Sequence, residues 1–230
     1  EDHCPDQLKL PFYLWTREAV GYLIQRRFGV ELSVWTVGRF LARHGFTPQK
    51  PTRQAFEQNP QAVRSWLARK YPAIRALARR EKAVIFWGDE MGVRADHAAG
   101  RSFSPRGKTP VILGTGQRFR CNMISAITNR GHLQFMVFKE RFTTAVFLKF
   151  LRRLLRQNRQ KIFLIIDGHP VHIAKSTCRW FKEHRAALRV YFLPGYSPEL
   201  NPDEYLNQDV KTNAVGKTRP LDRKELIGNV

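Results

Sequence analysis

Acidic side chains and cysteines are scarce in this chain of 230 residues, and long apolar runs are missing. The three cysteines lie far apart, with no CxxC pair and no His/Cys cluster, which argues against a disulfide framework and a zinc site. Such sparse cysteine is typical of a reducing cytoplasm. No apolar stretch approaches the ~18–20 residues that cross a bilayer, and the N-terminal residues lack a signal-peptide pattern. We therefore expect a cytoplasmic protein without a membrane partner.

The shortage of acids leaves a large positive charge. Lys and Arg number 40 against 19 Asp and Glu, so the formal net charge is +21. Residues 1–82 carry 15 basic and 7 acidic side chains, and residues 83–230 carry 25 and 12, so the excess is not confined to a tail. Such an excess indicates a polyanionic partner, because each neutralised phosphate releases condensed counterions. Charge favours nucleic acid but leaves a ribosomal or heparin-binding protein open.

The first 50 residues have the pattern of a helix-turn-helix. Thr16 is placed to cap a helix that continues to Phe28, and Ser33 is placed to cap a second helix that stops at Gly45. The extended segment FTPQKPTR follows, as in a winged helix-turn-helix. The apolar face of the second helix, expected inside, is Val34, Val37, Phe40 and Leu41. The outer face, expected to contact a DNA groove, is Trp35, Thr36, Arg39 and Arg43. Plain helical packing is the alternative.

At residue 83 the period of the apolar residues changes from helical to strand-like. Residues 1–82, with a further basic helical stretch over 61–82 interrupted at Pro72, are expected to be all-α, and residues 83–230 to be an α/β domain. Strands that first follow one another and then alternate with helices favour a mixed sheet with helices on both faces. The expected strands are 83–90, 120–128, 133–138, 161–167 and 189–193, and the expected helices are 143–157, 171–184 and one from 202.

Five of the 12 acids in residues 83–230 fall in three contexts, Asp89-Glu90, Asp167 and Asp203-Glu204. The first two follow apolar strands directly, and the third follows a proline-rich turn. A carboxylate at the end of a buried strand is poorly solvated and stays ionised most easily beside a cation. Mg²⁺ and Mn²⁺ prefer hard oxygen ligands, and paired ions hold both reacting oxygens of a phosphodiester. Three such contexts favour metal-assisted phosphoryl transfer over helix caps or arginine partners.

The segments that contain these acids, WGDE, LIIDGHPVH and LPGYSPELNPDEYLN, resemble the motifs of the insertion sequence 630 family, bacterial relatives of the mariner-type transposases. LWTREAV, SFSPRGKTP and MISAITNRG extend the resemblance over nearly the whole chain. It implies a ribonuclease-H-like catalytic domain in residues 83–230 behind a winged helix-turn-helix region in residues 1–82. Chains of that family usually extend beyond both ends of this one, so we expect an upstream helical unit and part of the C-terminal helical cover to be absent.

The resemblance also implies a site. The catalytic carboxylates, which together would hold two Mg²⁺ or Mn²⁺ ions, are Asp89, Asp167 and Glu204. His172 matches a motif histidine that orients the site, with a purely structural histidine as the alternative, and Asn201 would fix the turn. Glu90 is expected to point elsewhere if the strand continues through it, and Asp203 fills a variable position. Gly168 is a departure, because many relatives have Asn there.

The function that the resemblance implies is DNA transposition. Metal-dependent cleavage at the ends of an insertion sequence would free a 3′-OH, which then attacks target DNA. The expected partners are double-stranded DNA, as terminal inverted repeats and target, and a second copy of the chain in a homodimeric synaptic complex, associated with a bacterial nucleoid. Candidate phosphate contacts are Arg106, Lys108, Lys149, Arg152 and Arg156. A nuclease on the same fold and a catalytically inactive, transposon-derived DNA-binding protein are the alternatives.

Overall fold

A computed structural model describes residues 3–49, 51, 55–95, 103–111, 117–215 and 220–230. The chain forms two compact units, residues 1–54 and 55–230. This division falls earlier than the expected boundary between residues 82 and 83, because the helical stretch before the sheet packs on the sheet itself: Trp66 and Ile74 share a buried cluster with Phe163. Within the described residues, no helix has the length and apolar character needed to span a membrane.

The first unit contains the expected helix pair. A 3₁₀ turn, Asp6–Leu8, precedes helices α1 (Arg17–Phe28) and α2 (Val34–Arg43). Both predicted caps are present, since the hydroxyl of Thr16 accepts a hydrogen bond from the Ala19 N–H and that of Ser33 accepts one from the Thr36 N–H. The segment FTPQKPTR after α2 lies partly outside the described residues.

The apolar face predicted for α2 is only partly correct. Val37 is buried and Leu41 is half-buried, but Val34 and Phe40 are 40% and 51% exposed. The two helices approach closely at glycines: a Cβ on Gly38 would lie 2.9 Å from the Arg17 guanidinium Nε. A narrow contact of this kind buries the centre of α2 and leaves the flanking apolar residues outside.

The second unit begins with α3 (Pro60–Ser65), a π-helical turn (Trp66–Lys70) and α4 (Tyr71–Arg80). The interruption expected at Pro72 takes the form of this π turn, which separates α3 from α4 while the chain stays helical. Proline has no N–H to donate and crowds the preceding turn. The π turn widens that turn, so that the Tyr71 N–H bonds to the Trp66 carbonyl five residues back.

In the described part of the second unit, five strands form one sheet in the order β3-β2-β1-β4-β5. They are β1 (Val84–Arg94), β2 (Arg120–Thr128), β3 (Leu133–Phe138), β4 (Ile162–Ile166) and β5 (Leu188–Phe192). β1, β2 and β3 are antiparallel neighbours, whereas β1, β4 and β5 run parallel. This is the mixed, ribonuclease-H-like sheet that the sequence predicts. β1 pairs with β4 only as far as Trp87 and continues beyond the end of β4, paired with β2.

Each face of the sheet has its own layer. On one face, α5 (Thr144–Gln157) packs with Phe147, Leu151 and Leu154 against Phe86 and Leu164. On the other face, α4 packs against the cluster around Phe163. β4 is buried on both sides, which explains why its sequence IFLII is apolar throughout. Helices therefore cover both faces, as expected.

The helix predicted over residues 171–184 is two helices, so the single-helix prediction is wrong. α6 (Pro170–Ile173) and α7 (Lys175–Glu183) are separated by Ala174, whose backbone is extended. The Thr177 hydroxyl donates to the Val171 carbonyl at 2.7 Å and satisfies an oxygen that a continuous helix would bond internally. The remaining elements are a 3₁₀ turn (Pro198–Leu200), α8 (Asp203–Asp209), a π-helical turn (Val210–Val215) and α9 (Arg223–Gly228).

Candidate active site

Asp89 lies in the middle of β1 rather than at the tip of a strand, because β1 continues to Arg94 against β2. It lies two residues beyond Trp87, the last residue of β1 that pairs with β4, so β4 does not pair with it. Both carboxylate oxygens of Asp89 have donors: the Glu90 N–H is 2.9 Å from Oδ1, and the Asn207 side-chain amide is 2.7 Å from Oδ2. The side chain is therefore held in one orientation.

Asp167 directly follows β4, where the sheet ends. Its Oδ1 accepts hydrogen bonds from the His169 N–H at 3.0 Å and from the His172 ring Nδ1 at 2.8 Å. Burial acts to raise the pKa of Asp167, but the His172 and His169 hydrogen bonds outweigh it and hold the pKa below its usual value. Asp167 is accordingly an anion at neutral pH.

Glu204 is the exposed member of the set and lies in the first turn of α8. Side chains on either side of it attach the helix to the sheet. The Asn201 amide donates to the Gly88 carbonyl at 3.1 Å, and the hydroxyl of Ser125 on β2 donates to Oδ2 of Asp203 at 2.9 Å. Together with the Asn207 bond to Asp89, these contacts fix the place from which Glu204 projects.

The three predicted carboxylates border one cavity of about 370 Å³. Besides Asp89, Asp167 and Glu204, its lining is Gly168, Leu193, Pro194, Gly195, Tyr196, Ser197, Pro198 and Asn201. The structure thus brings together, from a strand, a strand end and a helix, three acids that are remote in sequence. Asn201 also lies here and spans from the turn to β1, as its predicted turn-fixing role requires. Gly168 supplies no side chain to the cavity.

The electrostatics of the cavity suit a cation. Burial raises the pKa of Asp89 to about 7, and the charges of Glu204 and then Asp167 contribute to the rise. Clustered carboxylates of this kind repel one another unless a positive ion lies among them. Their oxygens are the hard donors that Mg²⁺ and Mn²⁺ prefer, so the residues present fit a divalent ion.

Glu90 points to the opposite face of the sheet, as expected from strand alternation, and has a polar environment of its own. Its carboxylate lies 3.8 Å from the ring Nε2 of both His169 and His172. Ligand atoms of Glu90, Asp167 and His172 lie within 4.8 Å of one another. Burial, followed by the charges of Asp167 and Asp89, raises the pKa of Glu90 to about 8.

His172, predicted as an auxiliary residue, lies between two of the acids. Only 2% of its side chain is exposed, and its ring packs on Phe147 with 4.5 Å between ring centroids. Its Nδ1 lies 2.8 Å from Oδ1 of Asp167, and its Nε2 lies 3.8 Å from Oε2 of Glu90. His172 is thus both packed in the core and in hydrogen-bond contact with Asp167, the contact that the predicted orienting role requires.

The predicted DNA contacts belong to α2 in the first unit and to a turn and α5 in the second. Trp35, Arg39 and Arg43 on α2 are exposed, whereas Thr36 is half-buried and its hydroxyl lies 2.9 Å from that of Ser33. Arg106 and Lys108 are exposed in a turn closed by the Lys108 N–H and the Pro105 carbonyl. Exposed on α5 are Lys149, Arg152 and Arg156. α5 covers the sheet face opposite the cavity, so this row does not border the three acids.

Two residues that form hydrogen bonds to acids of the site were not identified from the sequence. Asn207 holds Asp89, and Ser125 holds the buried Asp203. A signal for the first was present: Asp203 and Asn207 are four residues apart on one helix and therefore share a face, which for two polar residues beside Glu204 indicates a buried network. Ser125 carries no such signal, because its position opposite Asp89 depends on the register of β1 with β2.

The sheet order and the placement of the three acids define a ribonuclease-H-like protein with a carboxylate site. Residues 84–227 match the family model of the DDE superfamily endonucleases, and residues 11–70 match that of the winged helix-turn-helix. The chain belongs to the DDE superfamily of endonucleases, with a winged helix-turn-helix before the catalytic domain. The fold class expected from the sequence is confirmed, and so is the expected DDE endonuclease domain.

Individual relatives agree with this assignment. The chain is 24% identical over 208 residues to the insertion element IS630 uncharacterized 39 kDa protein of Shigella sonnei; the match covers 90% of this chain and 60% of that relative. The chain thus spans about three fifths of the relative's length. Among solved structures, the Mos1 mariner paired end complex with Mn has a TM-score of 0.67 at 16% identity over 97% of this chain and 68% of that one. The Mos1 strand transfer complex has a TM-score of 0.60 at 17% identity, covering 93% and 68%. At these identities the likeness shows the fold.

Proposed function

We propose that this chain is the catalytic part of a DNA transposase that cleaves the ends of an insertion sequence and joins them to target DNA. The observation that carries the proposal is the convergence of Asp89, Asp167 and Glu204 on one cavity. The net charge of +21 supports a DNA substrate, because a polyanion compensates it. Membership of the DDE endonucleases supports phosphoryl transfer as the reaction.

The three carboxylates are proposed to hold Mg²⁺ or Mn²⁺, with two ions as the expected number. Such ions, when bound, polarise a phosphodiester and lower the pKa of coordinated water. Asp89 and Asp167 are the better-positioned ligands, since hydrogen bonds already orient each of them. Glu204 is exposed and has the freedom to complete the set. The Mos1 relative was solved in complexes with Mn and with Mg.

The chain's own residues prepare the site for an anionic substrate. Asn207 fixes Asp89 with a neutral donor and so adds no charge of its own. His172 holds the carboxylate of Asp167 in place by a hydrogen bond and helps to keep it ionised. Lys211, which lowers the pKa of Asp89 by its charge, borders the neighbouring groove along α8 and is suited to hold a phosphate near the acids.

Double-stranded DNA is the proposed partner of both units. The exposed Trp35, Arg39 and Arg43 of α2 would contact terminal inverted repeats in the major groove, as the recognition helix of a helix-turn-helix does. Arg106, Lys108 and the α5 row would contact DNA backbone. Homodimeric synapsis and a location at the bacterial nucleoid follow from the same proposal, supported by the paired-end form of the Mos1 relative.

The test is cleavage of labelled terminal-repeat DNA in Mn²⁺, followed by strand transfer into a plasmid. We expect both activities from the wild-type chain and neither from Asp167→Ala. Asp209→Ala is the matched control, because Asp209 is an exposed acid on the helix that carries Glu204, bonded only locally to Asn213. Cleavage without strand transfer would instead indicate a nuclease on this fold. DNA binding with no metal-dependent cleavage would indicate an inactive DNA-binding protein.

A further inference from the structure

Tyr196 borders the same cavity as the three acids but has no part in the chemistry described above. Its side chain is 62% exposed, and it has a backbone φ of 54°. A non-glycine residue in the left-handed region is uncommon and carries a conformational cost. The glycine of this turn is Gly195, which lies one residue before the left-handed position that a glycine would occupy without strain.

The strained conformation of Tyr196 is maintained by its neighbours. The side-chain amide of Gln58 lies 2.9 Å from the Tyr196 carbonyl and 2.8 Å from the Glu199 carboxylate. The buried Ser197 hydroxyl donates to the Gly195 carbonyl at 3.1 Å. These contacts hold the backbone of the turn, not the aromatic ring. The ring is thus directed outward by a rigid turn at the edge of the cavity.

An exposed aromatic ring that is held in this way at the edge of a cavity is suited to pack against a bound molecule. The strand whose phosphodiester lies at Asp89, Asp167 and Glu204 must place an adjoining nucleotide at the rim of the cavity. Aromatic side chains bind unpaired bases by stacking, whatever the base, because each base has a π face. We propose that Tyr196 stacks on an unpaired nucleobase next to the phosphodiester that is cleaved, an inference that rests on the proposed function.

The test distinguishes the effect of losing the aromatic ring from the effect of relieving the backbone strain. Tyr196→Gly removes the ring and also relieves the left-handed strain, so the variant is expected to be at least as stable as wild type. Its affinity for a forked DNA duplex is expected to fall roughly 5- to 150-fold, the range for one base–aromatic stack. Tyr196→Phe keeps a stacking ring and is expected to bind like wild type. Tyr196→Asn, which tolerates the same backbone region, is the second ring-free variant.

The direct readout is the fluorescence of 2-aminopurine placed as the first unpaired base of the fork, measured in Ca²⁺. We expect quenching with wild type and Tyr196→Phe, and brighter emission with the Gly and Asn variants. Lys82→Gly is the control for strain relief, because Lys82 has a φ of 52° just after α4, and Lys82→Gln is measured beside it because both variants lose the same positive charge. The two should agree in affinity, and the emission of both should equal that of wild type.

Equal affinity and equal quenching for wild type and both ring-free variants would overturn the proposal. That outcome is distinguishable from failure of the proposed function, because the binding measurement needs no turnover. If Asp167→Ala abolishes cleavage while Tyr196→Gly cleaves and quenches as wild type does, the transposase assignment stands without the stack. If wild type does not cleave but loses quenching on Tyr196→Gly, the stack stands without the reaction.

Discussion

Asp89 and Glu90 are adjacent acids on one strand, and the sheet directs them to opposite faces. Asp89 faces the cavity with Asp167 and Glu204, and both of its oxygens have hydrogen-bond donors. Glu90 faces two imidazoles, and its buried Oε2 has no hydrogen-bond partner among the described residues. Burial raises the pKa of both. The comparison shows that a raised pKa does not distinguish the two acids, and that Asp167 lies near both of them.

The largest effect is expected from a change to Asp89, the acid that faces the cavity. Asp89→Asn keeps the shape of the side chain but removes the charge that would hold a cation, so we expect metal-dependent DNA cleavage to fall by roughly 1,000-fold or more, equivalent to ~4 kcal/mol of transition-state stabilisation. Glu90→Gln is the matched variant and should retain cleavage within about tenfold. Initial rates in Mn²⁺ measure both. Equal losses for the two variants would show that the faces are not functionally distinct.

The next effect concerns the donor that holds Asp89. Asn207→Asp is isosteric but replaces the amide donor, 2.7 Å from the Asp89 oxygen, with a second acceptor. Residues that orient metal ligands typically contribute 10- to 100-fold, so a loss of that size in apparent Mn²⁺ affinity is expected. Asn213→Asp, on the following π turn, is the control and should change little. Unchanged metal activation in Asn207→Asp would remove the orienting role.

A third effect is the pH dependence of the metal-free protein. The folded-state pKa values of Asp89 and Glu90, about 7 and about 8, lie above the usual values of 3.8 and 4.5. The folded state therefore binds more protons in this window, and stability should decrease as pH rises from about 4 to about 8. Melting temperatures across that range measure it. Glu90→Gln should flatten the slope, and Mg²⁺ should restore stability at pH 8. A melting temperature that increases toward pH 8 without metal would contradict the raised pKa values.

The smallest effect is expected on the face away from the cavity. Arg152→Gln removes one exposed charge from α5 and should weaken DNA binding slightly, lowering the slope of log affinity against log salt by about 0.9 if one phosphate contact is lost. Cleavage at saturating DNA should not change. Lys211→Gln, beside the acids, should lower the cleavage rate as well. Equal behaviour of the two variants would show that proximity to the cavity does not matter for these cations.

Much of the fold was predictable because local signals agreed with the tertiary structure. Thr16 and Ser33 cap helices where the sequence placed caps, and α5 lies where a helix over residues 143–157 was expected. The apolar run before Asp167 is a strand because it is buried on both faces. The three carboxylates were predicted from their contexts and from the resemblance, and all three border one cavity.

The remaining features depend on partners that are distant in sequence. Residues 91–94 extend β1 only because β2 pairs with them, so the local pattern could not show that Asp89 lies mid-strand. The break at Ala174 depends on a side-chain bond from Thr177, and the exposure of Phe40 depends on how closely α1 and α2 approach. The compact units divide earlier than the predicted domains for a related reason, since α4 packs in the core formed with the sheet.

The elements that carry the three acids differ in how many contacts hold them, and this determines which part of the site unfolds first. β1 and β4 are each bonded to strands on both sides, whereas α8 joins the sheet through a few side-chain bonds and the packing of Leu206, and continues into a π turn. Segments with few anchors open at lower free energy than the core strands. Amide hydrogens of α8 should therefore exchange with solvent earlier than those of β1, so that Glu204 detaches while Asp89 and Asp167 stay in register. An ion shared by all three would slow exchange in α8 more than anywhere else in the sheet layer.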